Sequence, residues 1–315
     1  MTRVLVVGFG TIARTHVSVL ASRPDVTIVG AVDPALPEAD FPVFASLPDA
    51  LTSIDEPDLV VVATPTDTHV SVVSEALASC GALVLSEKPL ARTQFAIAEL
   101  EARHSPGIVR DRVKVAHHFA FSPEVEWARS FVAEHALGLP TRVQAVFNDA
   151  YTSLSASQRV SLVSSWVDSA PNQLSIVTAF VPDLTLSSHA ARPDRAATTF
   201  EHKGGRTHLS SNWLAADSSK QTTLEYGDVR LWLDHTSMTV VVTDGGHVVE
   251  HAAYPGSASR KEAHYLGLYE ALLSDPSDPR LGLDLATLIA LLVEEAEQLP
   301  PTAIRWSEVT GARQH

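Results

Sequence analysis

The chain has 315 residues, 45% of them hydrophobic and 19% charged, with 15 Gly and 19 Pro. That length suits two domains with a full core, and the composition excludes disordered, collagen-like and low-complexity classes. Asp and Glu number 37 against 23 Lys and Arg, a formal net charge of −14, so no nucleic-acid or membrane partner is expected.

The single cysteine, Cys80, removes any intramolecular disulfide framework. The apolar run after Met1 is too short for a signal-peptide core, and no stretch approaches the ~20 residues of a membrane helix. A soluble, cytoplasmic protein is the expectation.

Short Val-, Ile- and Leu-rich runs at Val4 to Val7, Val26 to Val32, Leu59 to Ala63 and Ala82 to Leu85 read as strands buried on both faces of a parallel sheet. Amphipathic stretches separate them: Thr11 to Ala21, Leu47 to Ile54, Asp67 to Cys80 and Thr93 to Arg103. This alternation predicts right-handed crossovers and a doubly wound sheet.

Beyond Pro140 strands follow one another: Thr141 to Phe147, Arg206 to Leu214, Thr222 to Tyr226, Val229 to Leu233, Thr239 to Thr243 and His247 to His251. Asp244-Gly245-Gly246 reads as a hairpin turn. Helical patterns return at Pro171 to Val181, Arg260 to Leu273 and Leu281 to Gln298. The fold class is α/β, a doubly wound parallel sheet followed by an α+β part with an open, largely antiparallel sheet. The boundary is placed near residue 120, giving domains 1–120 and 121–315.

Gly8-Phe9-Gly10-Thr11-Ile12-Ala13 follows the first strand and opens the first helix, in the pattern G-x-G-x-x-G/A. Gly8 permits the tight turn, Gly10 lets backbone approach a pyrophosphate, and Ala13 allows close helix–strand packing. Thr11 and Ile12 place the helix N-terminus toward phosphate charge. Asp33, 25 residues after Gly8, stands where a carboxylate accepts from the adenosine ribose hydroxyls; its other reading is a turn or cap before Pro34. From Pro24 through Glu87 there are eleven acids and no Lys or Arg, which favours NAD over NADP; Arg14 is the rescue for NADP.

Ser86-Glu87-Lys88-Pro89 closes a strand at the carboxyl edge, where open α/β sheets bind ligands. An ammonium there polarises a substrate oxygen or holds a developing alkoxide; the plainer reading is a solvated surface pair. The glycine loop, Ala63-Thr64-Pro65 with His69, and Glu87-Lys88-Pro89, in this order, resemble the glucose–fructose oxidoreductase / inositol dehydrogenase / rhizopine catabolism (Gfo/Idh/MocA) family. The resemblance is strong over residues 1–120 and thinner beyond. It implies a Rossmann domain, a second domain with an open sheet, and nicotinamide-dependent chemistry on sugar-like substrates. It also implies that Thr64, Pro65, His69 and Glu87 lie along the cofactor and that Lys88 is catalytic.

The family's second catalytic element is an Asp followed four residues later by His or Tyr. Asp168-Ser169-Ala170-Pro171-Asn172 matches it with Asn172 at the His position, Pro171 being expected in a first helical turn. An amide orients a hydroxyl but exchanges no proton near neutral pH, so proton transfer falls to Asp168, Lys88 or a water. The alternative for Asp168 is a plain N-cap.

Asp168 to Val177, and Tyr265-Leu266-Gly267-Leu268-Tyr269, look like segments of the family's bacterial aldose 1-dehydrogenases, which act on arabinose or galactose. Against their Trp-His-Ser-Arg, this chain has His117-His118-Phe119-Ala120, keeping only the His at 118 as a candidate substrate-binding residue alongside Asn172. These departures fall in the expected sugar pocket.

His247-Val248-Val249-Glu250-His251 matches a zinc-peptidase pattern, but on a strand its two histidines stand ~13 Å apart. No metal is expected. The chain therefore reads as an NAD-dependent oxidoreductase of a sugar or polyol, in its most concrete form an aldose 1-dehydrogenase. Reduction of a ketone or imine in biosynthesis, and a catalytically silent NAD-bound sensor, are the alternatives. By family analogy it forms a homodimer or homotetramer, with its active site between the domains.

Overall fold

The computed structural model describes residues 1–155, 162–254, 256 and 259–300. Packing divides them into two compact units, Met1–Phe121 with Lys261–Leu291, and Ser122–Arg260 with the residues from Leu292. A single cut near residue 120 leaves Lys261–Leu291 out of the first unit, although its Tyr265, Leu268 and Tyr269 belong to that unit's core.

In the first unit, β1 (Thr2–Val7), β2 (Val26–Val32), β3 (Val43–Phe44), β4 (Leu59–Val62), β5 (Leu83–Glu87) and β6 (Val113–Ala116) form a parallel sheet in the order β3-β2-β1-β4-β5-β6. β4 is Leu-Val-Val-Val with every residue buried, as a strand covered by helices on both faces requires. The order reverses between β1 and β4, whose carboxyl ends carry Gly8 and Ala63, and Lys88 follows the neighbouring β5.

Helix α1 (Thr11–Ala21) has the bounds read from periodicity. α2 (Leu47–Ser53), α3 (His69–Ser79) and α4 (Gln94–His104) follow, each ending within a residue of expectation, with α3 starting two residues late. Ser46 and Thr93 cap α2 and α4 by accepting from the N–H of Asp49 and Ala96. α5 (Pro106–Arg112) and α6 (Pro123–Glu134), each opened by a proline, were not expected, nor was β3. β3 pairs over only two residues, too few to show a period.

The second unit holds an eight-stranded sheet in the order β14-β13-β12-β11-β7-β10-β9-β8, parallel only between β7 and β10. Its strands are β7 (Arg142–Ala150), β8 (Thr185–Arg192), β9 (Arg195–His202), β10 (Gly205–Asn212), β11 (Leu214–Tyr226), β12 (Val229–Asp234), β13 (Thr239–Asp244) and β14 (His247–Ala253). Gly245 and Gly246 join the last pair with φ of +54° and +84°, the mirror-image turn that two-residue hairpins favour. H-x-x-E-H lies in β14.

The expectation missed β8 and β9 and gave only the last five residues of β11. Asp217 to Gln221 are all polar, so no apolar alternation marks the middle of β11. α7 (Ser165–Val177) packs over β7, β10 and β9, and α8 (Arg260–Ser274) and α9 (Leu283–Gln298) complete the described chain. Among the described residues, no helix is long and apolar enough to cross a membrane.

Candidate functional site

Gly8 leaves β1 at φ +87°, and a Cβ there would lie 2.7 Å from the Ala63 carbonyl oxygen, so only glycine fits the turn. Gly10 precedes α1 with no side-chain cap, and a Cβ there would meet nothing within 4 Å. The N–H groups of α1's first turn, from Thr11 and Ile12 onward, therefore have no side-chain cap at this open position. Ala13 is fully buried, as the close approach of α1 to the sheet demands.

Asp33 at the end of β2 reaches back to this loop. One carboxylate oxygen accepts from the Phe9 N–H at 2.9 Å and the other from the Ala35 N–H at 2.9 Å. The turn role and the loop role thus belong to one side chain, with lone pairs left for further donors. A cavity of about 620 Å³ alongside is lined by Phe9, Arg14, Glu38, Asp40 and Phe41, where the Arg14 guanidinium sits 4.8 Å from the Phe9 ring centre. An open glycine at a helix start, with a carboxylate fixed to the same loop, fits a dinucleotide's pyrophosphate and ribose.

The loops after β4 and β5 are tied by one imidazole. His69, buried at the start of α3, has Nδ1 2.9 Å from the Pro89 carbonyl and Nε2 2.8 Å from the Thr64 carbonyl. The Thr68 hydroxyl donates to Thr64 Oγ1 and the Pro65 carbonyl. The Lys88–Pro89 peptide is cis. Thr64, Pro65, His69 and Lys88 thus share one carboxyl-edge assembly.

Glu87, the residue before Lys88, is not a surface partner but the centre of a buried network. One oxygen takes hydrogen bonds from His16 Nε2 at 2.9 Å and from the Tyr265 hydroxyl; the other accepts from the Lys88 N–H. His16 Nδ1 lies 2.6 Å from the Tyr269 hydroxyl, so the ring links Glu87 to Tyr269. Burial pushes the Glu87 carboxyl up, but the hydrogen bond and electrostatic pull of the His16 N–H, the Tyr265 hydroxyl and Lys88 outweigh it. The group is held below its ordinary range. Burial and Glu87 together raise both tyrosines, keeping them neutral donors.

Parallel pairing sets Glu87 opposite Ala116, which brings His117 to the strand end beside Lys88. His117 is 2% exposed, and neither ring nitrogen has a hydrogen-bond partner. Burial first, then Lys88, lowers it to about 3, so the ring is neutral at physiological pH. His118 is also buried; its ring stacks on Tyr265 with centroids 4.7 Å apart, and its Nδ1 is 3.3 Å from His264 Nδ1.

In the second unit, α7 begins six residues earlier than expected. Ser164 is its N-cap, accepting from the Val167 N–H, so Asp168 is a first-turn helical residue and not the cap. Pro171 is correspondingly inside the helix, not in its first turn, and the Val167 carbonyl loses its usual donor. Gln173, fully buried, pins α7 to the sheet by donating to the carbonyls of Ala145 and Ser210 at 3.0 and 2.8 Å. Asn172 Oδ1 is buried with no hydrogen-bond partner, an acceptor available to a ligand hydroxyl.

Around Asp168 the structure gathers residues that sequence reading passed over. Lys220 on β11 forms a buried ion pair with Asp149 on β7. Asp168 and Arg260 act electrostatically on Lys220, and Asp168 and Asp149 act on the Tyr151 phenol, which burial raises first. Alternation along β7 could have flagged Asp149 as an acid on the covered face; nothing local flags Lys220. His16, in the second turn of α1, carries no motif either. Among the described residues no metal-holding cluster of His, Cys, Asp and Glu occurs.

Residues 2–104 match the model of the Gfo/Idh/MocA oxidoreductase family, NAD-binding Rossmann fold. No curated protein matches the sequence. Solved structures match the whole fold at low identity. A myo-inositol dehydrogenase from Corynebacterium glutamicum is 18% identical at a TM-score of 0.78, covering 94% of this chain and 96% of that one. Levoglucosan dehydrogenase in complex with NADH and levoglucosan is 13% identical at 0.80, with coverage of 94% and 96%. KijD10, a 3-ketoreductase from Actinomadura kijaniata in complex with NADP and TDP-benzene, is 19% identical at 0.77, with coverage of 94% and 97%. The segment that carries the glycine loop, Asp33, His69, Glu87 and Lys88 is the part of the chain that matches the NAD-binding Rossmann model of the Gfo/Idh/MocA oxidoreductase family.

Proposed function

We propose that the protein is an NAD-dependent oxidoreductase of the Gfo/Idh/MocA family that oxidises a CH–OH group of a sugar or polyol. The observation that carries this reading is Lys88 at the carboxyl edge, its backbone bonded to a buried Glu87 and its loop tied to Thr64 by His69. A solvated surface pair needs no such support. The inositol and levoglucosan dehydrogenases among the structural neighbours point to polyhydroxyl substrates.

When bound, NAD would supply a hydride acceptor; the rest would be done by this chain's residues. The backbone at Gly8, Gly10, Thr11 and Ile12 would seat the pyrophosphate, and Asp33 would take the ribose hydroxyls, selecting NAD over a 2′-phosphorylated cofactor. Thr64, Pro65, His69 and Glu87 would hold the nicotinamide end. Lys88 polarises the reacting oxygen, Asp168 accepts its proton, and Asn172 and His118 orient neighbouring hydroxyls. Residues 1–120 act as the cofactor domain and 121–315 as the substrate domain, in a cytoplasmic homodimer or homotetramer.

The most concrete form is oxidation of an aldose at its anomeric carbon to the lactone. The 3-ketoreductase neighbour favours one second reading, the same residues working in the reducing direction on a keto sugar. A panel of aldoses, inositols and keto sugars, followed by NADH absorbance in both directions, tests the proposal. NAD binding without turnover of any of them would refute it in favour of a silent sensor.

A further inference from the structure

We propose that Tyr151 and Trp213 form a sugar-recognition wall in the second unit: their rings pack against the C–H face of a pyranose or cyclitol, and the Trp213 indole N–H donates to one of its hydroxyls. Both are specificity-determining contacts. The inference rests on the reading of the protein as an oxidoreductase of a sugar or polyol.

Backbone pairing fixes where the two rings lie. Along β10, Thr207, Leu209 and Ser211 are buried and alternate with more open residues; Trp213, 3% exposed, continues the buried set just past the strand end. That face is the one α7 covers, where Ser211 Oγ donates to Ser165 Oγ at 3.1 Å. The turn between β8 and β9 holds helix and indole together. Its Pro193 carbonyl accepts from the N–H of Ser165, the first residue of α7, at 2.9 Å, and its Asp194 carbonyl accepts from the Trp213 N–H at 2.8 Å. The Trp213 carbonyl accepts in turn from the Tyr151 N–H at 3.1 Å. Trp213 therefore stands beside the opening turn of α7, which carries Asp168.

The two ring centroids are 5.6 Å apart with the planes inclined at 46°, tilted and not stacked. Tyr151 is half-buried, and its hydroxyl has no hydrogen-bond partner among the described residues. Burial first, then Asp168 and Asp149, raise that phenol above its ordinary range, which keeps it a neutral donor.

The Trp213 Nε1–H is buried and has no acceptor. A buried indole N–H ordinarily finds one, because it gives up its hydration on folding. Trp166 shows the ordinary case, donating from Nε1 to the Val293 carbonyl at 3.3 Å. A sugar or cyclitol presents an apolar C–H face and an edge of hydroxyls. An aromatic pair with an unspent N–H and an unspent phenol answers both at once. An ordered water is the other occupant that would satisfy the indole.

Saturation-transfer NMR tests the wall without turnover, using protein saturated with NADH so that added D-galactose, myo-inositol or levoglucosan stays unreacted. Irradiating the aromatic protons should mark the C–H protons of one sugar face. Trp213→Phe keeps a ring and removes the N–H, so sugar binding should weaken about three- to tenfold. Tyr151→Phe should cost about threefold or less, and Tyr151→Ala at least about tenfold. In turnover the same variants should raise KM with kcat unchanged within about threefold, and urea midpoints verify that each is folded. A water-filled or purely structural indole predicts unchanged sugar binding in Trp213→Phe, which overturns the inference. Turnover by the parent with KM unmoved in Trp213→Phe and Tyr151→Ala also refutes the wall, and leaves the oxidoreductase reading standing. Saturation transfer that the variants weaken, without turnover of any sugar, upholds the wall and refutes that reading. Neither transfer nor turnover overturns both.

Discussion

The two units carry their candidate residues by different means. In the first unit the arrangement rests on backbone: a glycine that admits no Cβ, an open helix start, and carbonyls held by one imidazole. In the second unit it rests on charges spread over four elements, with Asp149, Asp168 and Arg260 acting on Lys220. Backbone devices tolerate almost no substitution, whereas a charge cluster can be rebuilt from other residues.

The largest expected effect breaks the chemistry and spares the scaffold. Lys88→Ala should lower kcat by about 10²–10⁴ while NAD binding changes only a few-fold, as steady-state kinetics and calorimetry would show. Next comes a pair within the glycine loop. Gly8→Ala, forced to φ +87° against the Ala63 carbonyl, should cost about 3 kcal/mol in denaturant unfolding. Gly10→Ala should leave stability within ~0.5 kcal/mol and weaken NAD binding roughly tenfold, because its Cβ would occupy space open to phosphate.

His117 supplies a pH signature. Its ring stays neutral in the fold down to about pH 3, while the unfolded ring takes a proton near ~6.5. Its contribution is therefore complete above ~6.5 and is lost as pH falls through that window, at up to ~1.4 kcal/mol per unit. His117→Leu should flatten stability between about pH 6.5 and 5, measured by urea unfolding. Glu87, whose folded value is lowered, contributes above ~4.3 and loses that contribution only below it, so it does not disturb that range. The smallest effect concerns cofactor choice: Asp33→Asn should narrow the preference for NAD over NADP about tenfold in binding titrations, the parent binding NAD more tightly.

The same contrast explains what the sequence made legible. Gly8 and Asp33 sit in short runs whose spacing states the turn and strand-end geometry, and the hairpin at Gly245-Gly246 was legible for the same reason. His69 and the role of Lys88 are legible only through the family resemblance. His16, Tyr265 and Glu87 meet across 249 residues of chain from α1 to α8, a contact that no local period records. Lys220 owes its place to strand register, and β11 shows no alternation there to give it away. The start of α7 was misplaced because Pro171 was read as a helix opener, whereas the cap at Ser164 opens the helix six residues earlier.

The central claim, hydride transfer from a polyol carbon with Lys88 at the reacting oxygen, is tested most directly with a deuterium label. An aldose deuterated at its anomeric carbon would be incubated with NAD and the parent protein or Lys88→Ala, and the reduced cofactor analysed by mass spectrometry. The account predicts deuterium in the cofactor from the parent and at least a hundredfold slower transfer from Lys88→Ala. Undeuterated reduced cofactor, or equal rates from both proteins, would contradict it.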